Sequence, residues 1–342
     1  MVAPTDAIAA IQTKLKSVPT GGTLTFPANS AFNFNGRTIR GKSGITILAN
    51  GPVIIDGAPG PGSAGVFDFG GMSSWVVRGK APGQGFIFNN TLINADAANG
   101  TATAPWAVGN CVFNNVAGNG LNGSAIRMTG TSFGRVINND FNGCLGNVLG
   151  QYDWDNIDIS GNKFIGCWQP VSIDQGTDIN RGRNIKFIQN LVTGELRAGF
   201  ETGGDISDAP GAPGQVFTNL LIQGNWFVDL GPPVTDGAPP ISVVARGQTG
   251  TRIQNNFLRL GNTLPPGNPY MAIEVSGTGV ADISGNLLED FPAPLSLNEA
   301  SPSVVHDNRY FNCGALPAGL GPSNVTLARR PAEPSKPARI VW

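Results

Sequence analysis

Between residues 136 and 310 one phrase recurs seven times: an apolar residue, two variable residues, Asn, one further residue and a second apolar residue. The asparagines are Asn139, Asn162, Asn190, Asn225, Asn256, Asn286 and Asn308, with a weaker copy at Asn115. A phrase that returns at this interval marks a chain wound into stacked coils, each burying its apolar face against the next. The steps between successive asparagines are 24, 23, 28, 35, 31, 30 and 22 residues. A bare coil therefore takes 22 to 24 residues, and the longer steps carry inserts.

The repeat assigns structural roles before chemical ones. An inward Asn at a turn pairs with backbone groups of its own coil and with the amides above and below, so the Asn column is scaffold rather than ligand. Phe141, Phe164, Val192, Phe227, Leu258, Leu288 and Tyr310, two places after each ladder Asn, form an apolar core column. Cys144, Cys167 and Cys313 each fall five places after a ladder Asn, which reads as one column of reduced, buried thiols. Stacked rungs would also let Cys144 and Cys167 bridge. With no Cys-x-x-Cys and no Cys/His cluster, structural zinc has no ligand set.

Gly (48) and Pro (26) punctuate the 342 residues while charged residues make up only 13%, the profile of a turn-dense all-β chain. A formal net charge of −1 with no basic block argues against nucleic acid as a partner. The chain has no apolar run of eighteen residues, which removes membrane insertion by a helix, and Met1 to Thr20 lack the layout of a signal peptide. Secretion and release by host lysis both stay open as routes out of the cell. Residues 5–16 predict the one helix, with Thr5 as its cap and Ile8, Ile11 and Leu15 on one face, placed to cover the open first rung. Short strands are expected at 23–27, 45–49, 53–56, 66–69, 75–78 and 85–89. The chain thus divides into a capping segment (1–20), a coil domain (21–313) and a Pro-rich, basic tail (314–342). The tail is expected to be held by a neighbouring subunit or by docking to a larger assembly.

This coil grammar, together with the helix followed by GGTLTFPANSAF (21–32), resembles the right-handed parallel β-helix superfamily of pectate lyases, polygalacturonases and phage tailspikes. The resemblance implies an all-β, single-stranded right-handed parallel β-helix with a short N-terminal capping helix, and a polysaccharide bound or cleaved along one flank. It also implies a homotrimer, as in tailspikes. The Asn-Thr-Asp, Asp-Asp and Gly-His-Gly motifs of polygalacturonases are absent, and GQYDWD (150–155) lacks the His of the epimerase Asp-Pro-His segment. Tailspike hydrolases, which use Glu and Asp on the helix flank, fit more closely.

Each coil carries a second strand, at 124–130, 147–153, 170–176, 197–203, 241–247 and 271–277. Alternation turns Ile126, Met128, Val148, Gly150, Val171, Ile173, Phe200, Val243, Ala245, Ile273 and Val275 inward. Counting onward from the ladder Asn, with a one-residue gap at Glu201, aligns Gln151, Asp174, Glu201 and Arg246 in one exposed row. Arg127, Ser172 and Glu274 fall in the neighbouring row. Asp174 and Glu201 on adjacent rungs would lie about 4.8 Å apart at the backbone. Two carboxylates that close raise one pKa, leaving an acid beside a base.

The expected catalytic set is Glu201 as general acid with Asp174 or Asp205 as base or nucleophile. Gln151, Tyr152, Asp153, Asp155, Arg181, Arg183, Arg197, Arg246 and Glu274 are the expected substrate-binding residues, the arginines pairing with anionic sugar groups. Tyr152, Trp154, Trp168 and Trp226 are candidate stacking surfaces. Hydrolysis needs no cofactor. A lyase would instead use a base such as Tyr152, with Arg or Ca²⁺ held by Asp153, Asp155, Asp174 and Asp178 as charge neutraliser. The non-catalytic alternative is a virion or surface component that adheres to glycans. His306 reads as plain surface, and Lys80 in RGKAPGQG lacks the strand and helix of a phosphate loop.

Overall fold

The computed structural model describes the chain except residues 4–5, 58–64, 117–123, 151–152, 174–180, 195–196, 203–215, 231–238, 262–269, 298–302, 319, 321–322 and 339–342, and the side chains of 181, 245–247 and 278. The chain is a right-handed parallel β-helix. Among the described residues all ladders between strands are parallel, in sheets of 20 and 12 strands. The larger sheet makes two of the three faces, which merge where Ile241–Gln254 and Met271–Ser284 run unbroken around their shared edge. We call the face beginning at Thr23–Phe26 the first, that containing Gln169–Ile173 the second, and the 12-stranded sheet the third.

Corners make three faces out of one winding chain, and each corner is a residue at positive φ. Asn138, Gly161, Gln189, Gly224, Asn255, Gly285 and Asp307, with φ from 54° to 65°, each stand one place before a ladder Asn. Gly or Asn is favoured there because a Cβ in the left-handed region clashes with the backbone unless the side chain is absent or short and polar. A second corner, after the third face, uses Asn115, Gly143, Gly166, Gly194 and Asp290. A third, between the second and first faces, uses Asn156, Asn184, Asn219 and Gly250.

Behind the first of these corners lies the amide ladder. From Asn139 through Asn308 each Nδ2 donates to the Oδ1 of the next Asn at 2.9–3.1 Å and to a carbonyl of the coil below. Each backbone N–H donates to the same Oδ1. Asn115 does not belong to it. The register places Cys111 opposite Asn139, and Asn115 is a corner residue after the strand instead of before it. At the other end the ladder gains a rung, since Asn308 donates to Asn324 and Val325–Leu327 extends the third face beyond residue 313.

The expected core column is buried throughout, and its rings stack: Phe88, Phe113, Phe141 and Phe164 have centroids 4.8–5.0 Å apart, the rung spacing itself. All four cysteines are free. Burial pushes the Cys111 thiol up to about 12, and Cys144, Cys167 and Cys313 share one column, each donating to the carbonyl of the rung below. The helix runs Ile8–Ser17 and buries Ile11 and Leu15; Thr5, its expected cap, lies outside the described residues. Its Gln12 behaves as an extra strand residue. Nε2 donates to the Arg40 carbonyl at 3.0 Å and Oε1 accepts the Arg40 N–H at 2.7 Å, closing the edge of the first rung.

Candidate functional site on the second face

The inserts enter and leave the chain at the two edges of the second face. Residues 174–180 and 203–215 follow its strands Gln169–Ile173 and Phe200–Thr202, while 231–238 and 262–269 precede Ile241–Gln254 and Met271–Ser284. That placement makes this face the candidate site. Its outward row is set by register: Arg127 opposite Gly150, then Ser172, Glu201, Ser242, Glu274 and Ser296. From Ser172 onward Ser and Glu alternate. Glutamates two rungs apart have backbones about 9–10 Å from each other, which spares them the like-charge repulsion of adjacent rungs.

Two expectations change with this register. Glu201 shares its row with Ser172 and Glu274, not with Gln151, Asp174 and Arg246. The chain takes seven steps from Thr193 to Phe200 but six from Ile165 to Val171, so the third-to-second turn absorbs one residue more, where the sequence count had allowed for one fewer. In the coil at 147–150, Leu149 rather than Val148 continues the inward column through Ile126 and Val171, and Gly150 faces outward in the polar row. Gly150 has no room for a side chain: a Cβ there would meet Asn147 at 2.7 Å.

Glu201 is largely enclosed, its side chain 14% exposed. It accepts a hydrogen bond from Gln169 Nε2, and Arg197 Nη2 stands 3.8 Å from its other oxygen. Arg197 Nη1 also donates to Gln169 Oε1 at 3.5 Å. One cluster therefore joins Gln169, Arg197 and Glu201. Along the row, Ser242 Oγ donates to Glu274 Oε2 at 2.9 Å, and buried Ser172 Oγ has no hydrogen-bond partner among the described residues. Trp168, half-buried, borders the cluster, and its carbonyl accepts the Arg197 N–H at 3.0 Å.

The remaining expected residues divide by location. Asp155 and Arg183 meet at 2.8 Å on the third corner, where Asn156 also donates to Asp155; exposed Asp153 precedes them at φ 60°. Asp174, Asp205, Gln151, Tyr152 and Asp178 lie outside the described residues, as do the side chains of Arg181 and Arg246. Trp154 is not a stacking surface. It is buried, its Nε1 donating to the Met128 carbonyl at 2.5 Å. Trp226 lies on the third face, away from this site. Among the described residues no cluster of three or more His, Cys, Asp or Glu is placed to hold a metal ion.

Sequence counting missed Gln169 and Ser242. A signal for Ser242 was present in the triplets VSI, FET, ISV, IEV and LSL, at 171–173, 200–202, 241–243, 273–275 and 295–297: each is an outward Ser or Glu between two inward residues. Gln169 had no such signal, since a buried Gln before Pro170 reads from sequence as the end of a turn.

No protein-family model and no curated protein sequence matches the chain. Solved structures do. The surface protein and adhesin PfbA of Streptococcus pneumoniae is 13% identical with a TM-score of 0.57, covering 90% of each chain. A tailspike protein of E. coli bacteriophage HK620, solved as a double mutant, is 14% identical with a TM-score of 0.53 over 95% of this chain and 64% of the tailspike. A single mutant of that tailspike, in complex with a pentasaccharide, is 13% identical with a TM-score of 0.52 over the same shares. What they share with this chain is the fold. Among the described residues no helix is long and apolar enough to cross a membrane.

Proposed function

We propose that the second face binds a polysaccharide along the helix axis and hydrolyses its glycosidic bonds through paired carboxylates. The observation that carries this reading is the outward Ser/Glu row with Glu201 enclosed by Gln169 and Arg197, on the face that the inserts border. The pentasaccharide complex of the HK620 tailspike supports a glycan ligand on this fold.

With Arg197 3.8 Å from its carboxylate, Glu201 is assigned the general base rather than the acid expected from sequence. The acid then comes from Glu274 on the same row, with Asp174 and Asp205 the other candidates. A backbone separation of about 9–10 Å leaves room for the water of an inverting displacement, which needs carboxyl groups about 6.5–9.5 Å apart. Arg183 and Arg197, with Arg181 and Arg246, are proposed to meet anionic substituents of the sugar. A homotrimer that is extracellular or virion-associated belongs to the same proposal and is tested by sedimentation of the purified chain.

Incubation with a panel of bacterial surface polysaccharides should release new reducing ends without the ultraviolet absorbance of unsaturated products. Glu201→Gln should lower that rate by about 10²–10⁴-fold while leaving binding in place. Ultraviolet-absorbing products would move the assignment to a lyase. Binding with no release of ends, and no effect of Glu201→Gln, would leave adhesion as the function.

A further inference from the structure

Toward the C-terminus the outer side of the third face turns apolar. Register sets Leu191, Trp226, Phe257 and Leu287 in one outward row. With Val228 they form a cluster separate from the core, and Leu327 packs against it. An exposed apolar stripe of this length needs a cover, and residues 328–338 run across it.

The tail is patterned for that task. Arg330, Glu333 and Lys336 are spaced by three, and each directly precedes a proline, Pro331, Pro334 and Pro337. Proline fixes its own φ and drives the residue before it into extended conformations. A polyproline II helix has three residues per turn, so side chains three apart project from the same side.

The partners match in sign and order. Arg330 Nη2 reaches Glu289 Oε2 at 3.1 Å, Glu333 pairs with Arg259, and Lys336 Nζ stands 5.9 Å from the centre of the Trp226 ring. Glu289 has no exposed side-chain surface, and Arg259 is also held by Asp229 at 3.1 Å, so the receiving groups are positioned within the sheet. Glu289, Arg259 and Trp226 descend one rung at a time, and the tail therefore runs back along the axis. Among the described residues no backbone hydrogen bond ties 329–338 to the coils. Among the described residues the attachment is made by side chains.

We propose that this stretch of the third face is a receptor for a proline-rich segment carrying basic, acidic and basic residues at three-residue spacing, with the chain's own residues 328–338 as its resident and separable occupant. The proposal is independent of the glycan reading, which concerns the second face. A tethered segment faces its site at an effective concentration of about 1 mM, so even a weak site stays filled in cis. Displacement uncovers Trp226, Phe257 and Leu287.

The test uses a chain ending at Leu327 and a synthetic peptide of residues 328–338, with binding read by fluorescence anisotropy. The peptide should bind the shortened chain saturably below about 1 mM and the full chain far more weakly, because there the site is occupied. Arg259→Glu should cost at least about tenfold in affinity, and a peptide carrying Glu333→Arg should recover it. A scrambled peptide binding equally well, equal binding to the full chain, or no saturation would overturn the proposal. So would self-association of the shortened chain that the peptide does not reverse, since the stripe would then be a face for a second copy. Should the shortened chain fail to fold, the full chain with Arg330, Glu333 and Lys336 all changed to Ala should lose residues 328–338 to protease at least about tenfold faster. An unchanged rate would overturn the proposal equally.

Discussion

At the scale of single residues, the same side chain type is structural in one column and incidental in another. Asn190 accepts from the N–H and Nδ2 of Asn162, and donates to the Ile159 carbonyl and to Asn225, all of it away from water. Asn190→Ala leaves buried donors and an acceptor unpaired on both neighbouring rungs, and should cost at least about 3 kcal/mol of unfolding free energy. Asn114, in the part-buried outer ladder from Asn89 to Asn142, can exchange its bonds for water. Asn114→Ala should cost under about 1 kcal/mol. Denaturant unfolding of the two variants compares them directly, and equal losses would mean that the inner ladder is not what holds the coils.

His306 repeats the lesson with charge. It lies on the exposed first face between Asp307, 2.7 Å from Nδ1, and Asp282, 3.3 Å from Nε2, and the Asp307 hydrogen bond foremost raises its pKa above the usual 6.5. A raised imidazole pKa means that the folded state holds the proton more tightly. The stabilisation is thus complete below the unfolded pKa and fades as pH climbs through the folded one. Because the chain has one histidine, its NMR titration is unambiguous. The midpoint should lie above 6.5, and Asp307→Asn should bring it down.

At the scale of elements, the fold depends on closing the first rung. The helix Ile8–Ser17 covers the end of the core with Ile11 and Leu15, and Gln12 satisfies both hydrogen-bonding groups of Arg40. Removing residues 1–18 exposes a parallel strand edge above a wet apolar core, the arrangement that templates edge-to-edge pairing. The shortened chain should sediment as a heterogeneous set of species larger than the intact chain, while Gln12→Ala sediments as the intact chain does and loses about 1–2 kcal/mol. A monodisperse shortened chain would show that the helix is decoration.

The elements also explain what could be read from the chain beforehand. The ladder from Asn139 to Asn308 was legible because a corner residue and a buried amide must occur together once per coil, whatever length of insert lies between. Asn115 deceived because the second corner also takes Asn, and only strand register tells a residue before the strand from one after it. Glu201 was misaligned for a related reason. The number of residues in a turn is free to vary, so a count from the ladder loses phase at every turn, as it did between Thr193 and Phe200. The apolar-polar-apolar triplets carry their own phase, and reading them by alternation recovers the Ser/Glu row without any count. The tail packs on its own coils. Its sign pattern was present in the sequence, but the complementary groups come from three different coils and become neighbours only after winding.

At the scale of the whole molecule, a β-helix turns sequence separation into axial distance, so the length of a bound polymer is measured in rungs. The row from Ser172 to Ser296 crosses five rungs, about 19 Å between its first and last backbones. A glycan lying along this row gains contacts with each added sugar until it outgrows the row, after which added sugars meet only solvent. For oligosaccharides of one polymer and increasing length, measured by calorimetry with Glu201→Gln to block turnover, affinity should rise steeply and then level off. Arg127→Ala, below Gly150 at the N-terminal end of the row, should weaken only those oligomers long enough to reach it. Binding across the axis would produce another result, a single sugar held as tightly as the longest oligomer and an Arg127→Ala effect independent of length. That outcome would remove the second face as a linear subsite and leave its serines and glutamates with a structural role alone.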